Sequence, residues 1–487
     1  MPREQKPWGV PLFRVAALVV LGFMSSPLAA QTMGAYSAAP ASSGGSSAAS
    51  ALSQGPFSGS VPEGKATAEV LPLSFKDAID RGLRNNLGLL LQSDNTLAAR
   101  AQRWQELSNL LPNLSSAISE TALQTNLQAE GLRFPGFPKI IGPYGFFDAR
   151  VFLKQPLVDL QALNRERGAA TNERAAAYSY QDARNMVVLA VGNAYLVTLA
   201  GAARVETAQA QAQTAQALYD KASDQQKAGV VPAIDALRAQ VELQSRQQQL
   251  ISERNDHAKQ KLALGRVIGL PPGQEFNLTE QAPYEPFTPM GLEQSLQRAY
   301  STRPDYLAAA QKVRAAEYFR KATTAEYFPS LGVSADYGDI GVTPNNSHGT
   351  FTASGTLRIP IFLGGKVHAD SLQEDAALRQ ARQQLEDLRG RIDYQVRTAL
   401  LDLSSAADQV EVARSSVNLA EQTLNQAKDR FTAGVTDNLE LIQAQEAVAS
   451  ANENYISSLY SHNVAKIVLV YAMGYAEQGV KQYLQTR

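Results

Sequence analysis

The chain has 487 residues, 44% hydrophobic, 19% charged and only 7% aromatic, with a formal net charge of −1. That length can bury a large core, and the many Ala and Gln residues suit long helices better than sandwiches or α/β sheets. The charge balance excludes the basic footprint of a nucleic-acid binder, and the absence of cysteine excludes both a disulfide scaffold and an acylated N-terminal thiol.

Residues 1–30 read as a signal peptide: Arg3, Lys6 and Arg14, then the apolar "VAALVVLGF", then "SPLAAQ" with cleavage after Ala30. The apolar run is shorter than the roughly 20 residues that a membrane anchor needs. Residues 31–70 are rich in Ser, Ala and Gly and read as a flexible leader. Farther on, no apolar run reaches spanning length, "VAKIVLVYAM" included, so any membrane crossing is expected to use strands.

From residue 71 the chain repeats itself, residues 71–286 answering residues 287–475, with a tail at 476–487. "LSFKDAIDRGLRNN" from Leu73 matches "MGLEQSLQRAYSTR" from Met290, and "LPNL" matches "FPSL", both at an offset of 217. Pro156 then maps to Pro360 at 204, while Gly229 and Gly269 map to Gly434 and Gly474 at 205. The first repeat therefore carries 13 extra residues, within the Pro/Gly/aromatic segment 127–147 that reads as a long loop.

Each repeat predicts a helix, a strand pair, a very long helix, a tight turn and a medium helix. The first medium helix is expected at about 75–110 and the next at about 233–265. Period-2 alternation marks the strands. Phe147, Ala149, Val151 and Leu153 share one face, opposite Asp148, Arg150 and Lys154. Leu331, Val333 and Tyr337, then Phe351 and Leu357, alternate with polar residues in the same way. The long helices are expected at about 161–226 and 366–432, each about 100 Å at 1.5 Å per residue. In the second, Val396, Leu403, Val410, Val417, Leu424 and Phe431 form a heptad column beside a column of alanines, as in a close-packed coiled coil. The turns are Ala228-Gly229-Val230 and Ala433-Gly434-Val435, with Pro232 at the first position of one following helix and Asp437 or Asn438 capping the other.

Four strands cannot close a barrel in lipid, yet their alternation suits a membrane barrel with a wet lumen. Several chains contributing four strands each remove the contradiction, and three would give twelve.

The duplication, "FPSL", "RIPIFLGGK", the paired "AGV" turns with their following "AQ", and the terminal "VIG" and "AMG" resemble the TolC-like outer-membrane efflux proteins over about residues 71–474. The resemblance implies a mainly α fold, internally duplicated. Its long coiled-coil helices would form an α-helical barrel, and its four strands per chain would enter a twelve-stranded transmembrane β-barrel. It implies a homotrimer in the outer membrane of a Gram-negative-type bacterium. It also implies a periplasmic adaptor and, through it, an inner-membrane pump of RND, ABC or MFS type as partners, with no cofactor. The nine apolar strand residues named above would face lipid, and the two "AGV" turns would dock the adaptor at the periplasmic end.

By the same resemblance, the gate maps to Glu440 and Gln443, where Gln443 departs from the family's double acid. Asp235 matches one partner of the family's closing links, while Phe431 stands for a tyrosine and Thr436 for an arginine, so this tip is expected to close differently. Glu440 and Asp235 equally suit first-turn acids that complement a helix dipole. An enzyme is disfavoured: His257, His348, His368 and His462 read as isolated solvated residues, and no HExxH, GxSxG or cysteine is present. The alternative is a secreted periplasmic coiled-coil scaffold or adhesin without a pore.

Overall fold

The computed structural model describes residues 57–131, 135–136, 138–229, 231–280, 290–433, 435 and 438–483. The expected signal peptide, Val230, Gly434, Thr436 and Asp437 lie outside the described residues, as do Phe134 and Phe137 of the expected loop. The first half runs β1 (Leu71–Leu73), α1 (Phe75–Asn85), α2 (Leu87–Ser108), β2 (Asn113–Asn126), β3 (Ile140–Val158), α3 (Leu160–Lys227) and α4 (Ala233–Val267). The second half repeats the series as β4 (Phe276–Leu278), α5 (Leu292–Thr302), α6 (Pro304–Ala325), β5 (Ser330–Thr343), β6 (Asn346–Arg358), α7 (Lys366–Thr432) and α8 (Asn438–Ala472). A last helix, α9 (Ala476–Tyr483), occupies what reads in sequence as a plain tail. The short strands β1 and β4, invisible as patterns at three residues each, pair in parallel and tie the halves together.

The single helix expected over 75–110 is two. Asn86 breaks it with an extended backbone, accepting from the Leu89 N–H at 3.3 Å and donating to the Phe57 carbonyl at 2.6 Å. The second half breaks in the same place at Arg303, because Pro304 follows and disfavours a helical residue before it. Gly269 and Gly474, at φ +73° and +83°, sit on these two breaks. A Cβ on Gly269 would lie 2.6 Å from the Asn85 Cβ, and one on Gly474 would lie 2.7 Å from the Arg303 Cα. Only glycine meets both the left-handed backbone and the close approach. Residues 57–70, expected as part of a flexible leader, are instead held down: Val61 donates to the Asn85 carbonyl at 2.8 Å and Leu87 to the Gly59 carbonyl at 3.0 Å.

The long helices contain 68 and 67 residues, about 100 Å each. Above their middles the helices stack side by side in the order α2, α3, α6, α7; below, the order is α4, α3, α8, α7. The predicted seam is buried: Val396, Leu403 and Val410 are at most 1% exposed, with Ala399, Ala406, Ala413 and Ala427 closed beneath them. α3 also contains an apolar stretch of membrane-spanning length, which no uninterrupted run in the sequence suggests. It is 61% buried inside the fold, where Val187, Val191 and Tyr195 form the main core with Phe75, Ile79 and Ile467. α3 is therefore a core helix.

The sheet has the order β2-β3-β5-β6, antiparallel throughout, with β2 and β6 as open edges. β3 begins at Ile140, so Tyr144 and Phe146 belong to a strand and not to the expected loop. The extra residues of the first repeat lengthen a hairpin.

Candidate functional site

The two turns where the long helices end are built alike. After Lys227 the backbone closes with Gly229 N–H to the Gln226 carbonyl at 2.9 Å, Gly229 lying at φ +73°. After Thr432 it closes with Val435 N–H to the Arg430 carbonyl at 3.0 Å. These are the two bonds of a Schellman ending, one visible in each turn. Pro232 is the N-cap and Ala233 the first helical residue, one position later than expected, since the proline's extended ψ of 150° lies outside the helix. Beneath the turns sit two small clusters: Ala222, Ala236 and Ala239 in the first repeat, and Ala427, Leu441 and Ala444 in the second. Each member maps onto its counterpart at the offset of 205.

The polar residues differ more. Asp235 lies 3.6 Å from Arg238 in its own helix, whereas Glu440, its counterpart, lies 3.2 Å from Arg430 across the turn. Gln443 occupies the position that Arg238 holds in the first repeat, which leaves the cation to come from before the turn. Phe431 does not take part in a polar link. Its ring packs with Leu218 and Leu424 against the second cluster, and Lys221 of α3 stands over it with Nζ 5.4 Å from the centroid. Lys221 and Arg430 belong to no motif; in the sequence, the replacement of Arg238 by Gln443 at the 205-residue offset marks that a cation has moved.

At the other end, the two faces of the sheet differ in polarity, with Phe152 and Ile340 as apolar exceptions on the charged face and Asp339 as a charged one on the apolar face. The register pairs Val151 with Tyr337, Tyr337 with Phe351, and Leu331 with Leu357. Alternation along each strand places Phe147, Ala149, Leu153 and Val333 on that same face, together with Leu114 and Ile118 of β2. The large side chains there are exposed, Phe351 at 77% and Ile118 at 78%. On the opposite face Arg150 joins Asp148 at 3.2 Å, Asp336, and the Thr350 hydroxyl at 3.0 Å, while the Ser334 and Ser354 hydroxyls meet at 2.8 Å. An apolar face with a charged reverse is the pattern of a sheet that separates lipid from water.

The model of the outer membrane efflux protein family matches residues 78–270 and 295–475, one segment per repeat. The chain belongs to that family. It is an outer-membrane channel protein of the efflux and secretion class, as the resemblance implied, and the poreless scaffold falls away. Among its relatives, the alkaline protease secretion protein AprF of Pseudomonas aeruginosa is 23% identical over 413 residues, covering 81% of this chain and 85% of that protein. The probable efflux pump outer membrane protein TtgC of Pseudomonas putida is also 23% identical, over 420 residues, covering 82% and 83%. The crystal structure of the outer membrane protein VceC of Vibrio cholerae superposes with a TM-score of 0.71 at 18% identity, covering 82% of this chain and 96% of that one. That last likeness is one of fold. The family is one of channels.

His462 and Arg303 are buried, and the first departs from expectation. His462, read as solvated, is 0% exposed; burial, with Lys466 adding to it, lowers it to about 4 and leaves it neutral. It lies on the core side of α8, where the sequence shows only a lone polar residue. Arg303, 3% exposed, donates to Asp305 at 2.6 Å, Gln395 at 2.8 Å and the Ala472 carbonyl at 3.2 Å. Nearby, burial pushes the Asp182 carboxyl up to about 6, with Asp305 adding to the rise and Arg303 opposing it.

Proposed function

We propose that three copies of this chain assemble side by side into one channel, the exit duct of a tripartite efflux or secretion system. The observation that carries the reading is that every layer ends in two open edges of matching character. The sheet ends in β2 and β6, both with unpaired backbone. The lower helical layer ends in α4 and α7, and each presents an apolar stripe to solvent: Leu237, Val241 and Ile251 on one, Tyr394, Leu401 and Val412 on the other, all at least 56% exposed. Edges that differ from each other yet complement each other favour head-to-tail contacts, which close into a ring. Three copies bring twelve strands to the barrel, sufficient for a water-filled lumen. The apolar face carrying Phe147, Val151, Tyr337, Phe351 and Leu357 then meets lipid, and the face with Arg150 and Asp336 lines the lumen.

In this reading the tip closes through an apolar and cation–π latch, Phe431 with Leu218 and Lys221, in place of polar links. The paired turns at Ala228-Gly229 and Ala433 repeat six times around the trimer and form the docking ring for a periplasmic adaptor. An inner-membrane pump engages through that adaptor. Glu440 forms an acidic ring tempered by Arg430, and Gln443 leaves that ring single. The duct is passive, and relatives named for protein secretion and for efflux support a cargo chosen upstream of it. Purified protein should give the mass of three chains by light scattering. In planar bilayers it should prefer cations, and Glu440→Ala should weaken that preference. Unchanged selectivity would take Glu440 out of the gate, and a one-chain mass would end the assembly.

A further inference from the structure

The hairpin formed by β2 and β3 outruns the rest of the sheet. The last β3–β5 pair is Phe147 with Gly341, and β5 turns back into β6 after Thr343. β2 and β3 continue pairing to Asn126 and Ile140. At about 3.3 Å per residue the hairpin rises roughly 15–20 Å past the tip of its neighbour. Since the helices leave from the opposite end of the sheet, this arm stands outside the cell.

The polarity of the arm is reversed. Along the membrane portion, the face that carries Asp148, Arg150 and Asp336 is charged. Continuing upward on that same face, the register pairs Thr121 with Phe146, Leu123 with Tyr144 and, beyond one bulge, Thr125 with Ile141. Charge gives way to four apolar side chains flanked by threonines. The outward face changes in the opposite sense, to Glu120, Ala122, Gln124 and Asn126, with Ile140, the partner of Asn126, as its apolar exception. Of these positions Ala122, Gln124 and Asn126 are exposed, whereas Thr121, Leu123 and Thr125 are partly covered. Tyr144 remains 45% exposed.

On the lumen side Tyr144 stands exposed beside the half-covered Leu123, Ile141 and Phe146, and height limits what can cover them further. In a ring of copies, the β5–β6 hairpin of each neighbour ends well below the arm. Among the described residues of a neighbouring copy, those at the level of Tyr144 belong to its own arm. We propose that the arms of the assembled copies lean together over the outer mouth and join through Leu123, Ile141, Tyr144 and Phe146, forming an apolar collar. Such a collar narrows the exit and excludes water and large solutes until cargo parts the arms. This inference rests on the trimeric reading above and adds a second constriction, at the far end from the tip.

The chain lacks cysteine, so single introduced thiols report cleanly. Intact cells carrying Tyr144→Cys or, as the outward control, Ala122→Cys are treated with a short bis-maleimide. Chain-to-chain cross-links at 144 and none at 122 are expected. Light scattering on the same preparations separates the failures: three chains with no cross-link at 144 overturn the collar alone, and a one-chain mass overturns the trimer and the collar with it. Protection of Tyr144→Cys from a small maleimide without cross-linking means that the arm folds back on its own strands, and also overturns the collar. A second readout uses Ser354→Cys inside the lumen. A bulky maleimide should fail to label it in intact cells and should label it fully once Tyr144→Ser and Phe146→Ser are added. A small maleimide should label both, which confirms that the barrel is intact. Equal labelling by the bulky reagent with and without the serines refutes the collar.

Discussion

The proposed tip latch has a computable weight. Lys221 belongs to the first-repeat long helix and Phe431 to the second, so their contact breaks when the two coils part. A cation 5.4 Å from a ring centroid at a solvent-facing site contributes about 0.5–1 kcal/mol. The half-buried ring also packs against the second cluster, which Leu218, of the same long helix as Lys221, covers too. A fully buried Phe→Ala costs about 3–5 kcal/mol, and roughly a quarter of that is reasonable for the part of this ring that faces the other coil. Phe431→Ala therefore removes about 1.5–2 kcal/mol per copy from the closed state. Three copies opening in concert lose about 5 kcal/mol, which at 1.4 kcal/mol per decade is on the order of a thousandfold in the closed-to-open ratio. Lys221→Met keeps the aliphatic stem and removes only the charge, so it should shift the ratio by about ten- to a hundredfold. Single-channel recording in planar bilayers reads both as open probability. If both variants stay within about threefold of wild type, where about ten- to a thousandfold is expected, the latch does not hold the tip shut.

Three further outcomes test the architecture. Gly474→Ala meets both a left-handed backbone, about 1–2 kcal/mol, and an overlap with the Arg303 backbone, about 1–3 more. Gly229→Ala meets only the first cost, since nothing lies within 4 Å of its would-be Cβ. Thermal melts should place the first variant several degrees below the second, and equal losses would refute the packing argument. Asp182, raised to about 6 by burial, binds a proton more tightly folded than unfolded, so its contribution weakens stability as pH rises from about 4 to 6. Asp182→Asn should therefore stabilise at pH 7.5 by at most about 3 kcal/mol and by about half of that at pH 5; the same gain at both would refute it. Glu440→Ala, beyond its effect on selectivity, leaves Arg430 to add positive charge at the tip, so the reversal potential should move toward anions.

Much of this fold lies in plain view in the sequence because it is built from long, repetitive elements. A heptad column six members deep, from Val396 to Phe431, and the strand alternation around Val151 and Tyr337 repeat one physical signal many times. The duplication then lets each half check the other, which is why both long helices appear within a residue or so of their expected ends. What stays hidden is short or depends on partners distant in sequence. β1 and β4 have three residues each and exist only because they pair with one another. The break at Asn86 needs the Phe57 carbonyl, 29 positions away, to hold its amide. His462 has the same sequence surroundings as a surface residue, and only the packing of α8 on its neighbours buries it. At the tip, the turns and Glu440 are legible from repeat position, but Lys221 is one lysine among many until α3 and α7 lie side by side.

The divergence between the repeats is where a duplicated scaffold becomes a directional device. In the proposed trimer, two identical halves would give six equal tip turns and no reason for one set of coils to move. Here the first half pairs Asp235 with Arg238, one helical turn along the same helix, so that ion pair lies within a single helix. The second half has Gln443 where Arg238 would be, and Glu440 instead reaches back over the turn to Arg430. That pair is held by the turn itself, through the same Arg430 whose carbonyl receives the Val435 N–H. In the proposed assembly, an adaptor pressing on the second turn would act on the acid's partner directly, whereas the first repeat's pair lies beyond its turn, within one helix. Phe431 precedes the same turn and carries the contact to the other coil. On the proposed reading the second-repeat turn joins the acidic ring to the latch, and it is the half expected to move; exchanging Gln443→Arg should give Glu440 a local partner and uncouple the two.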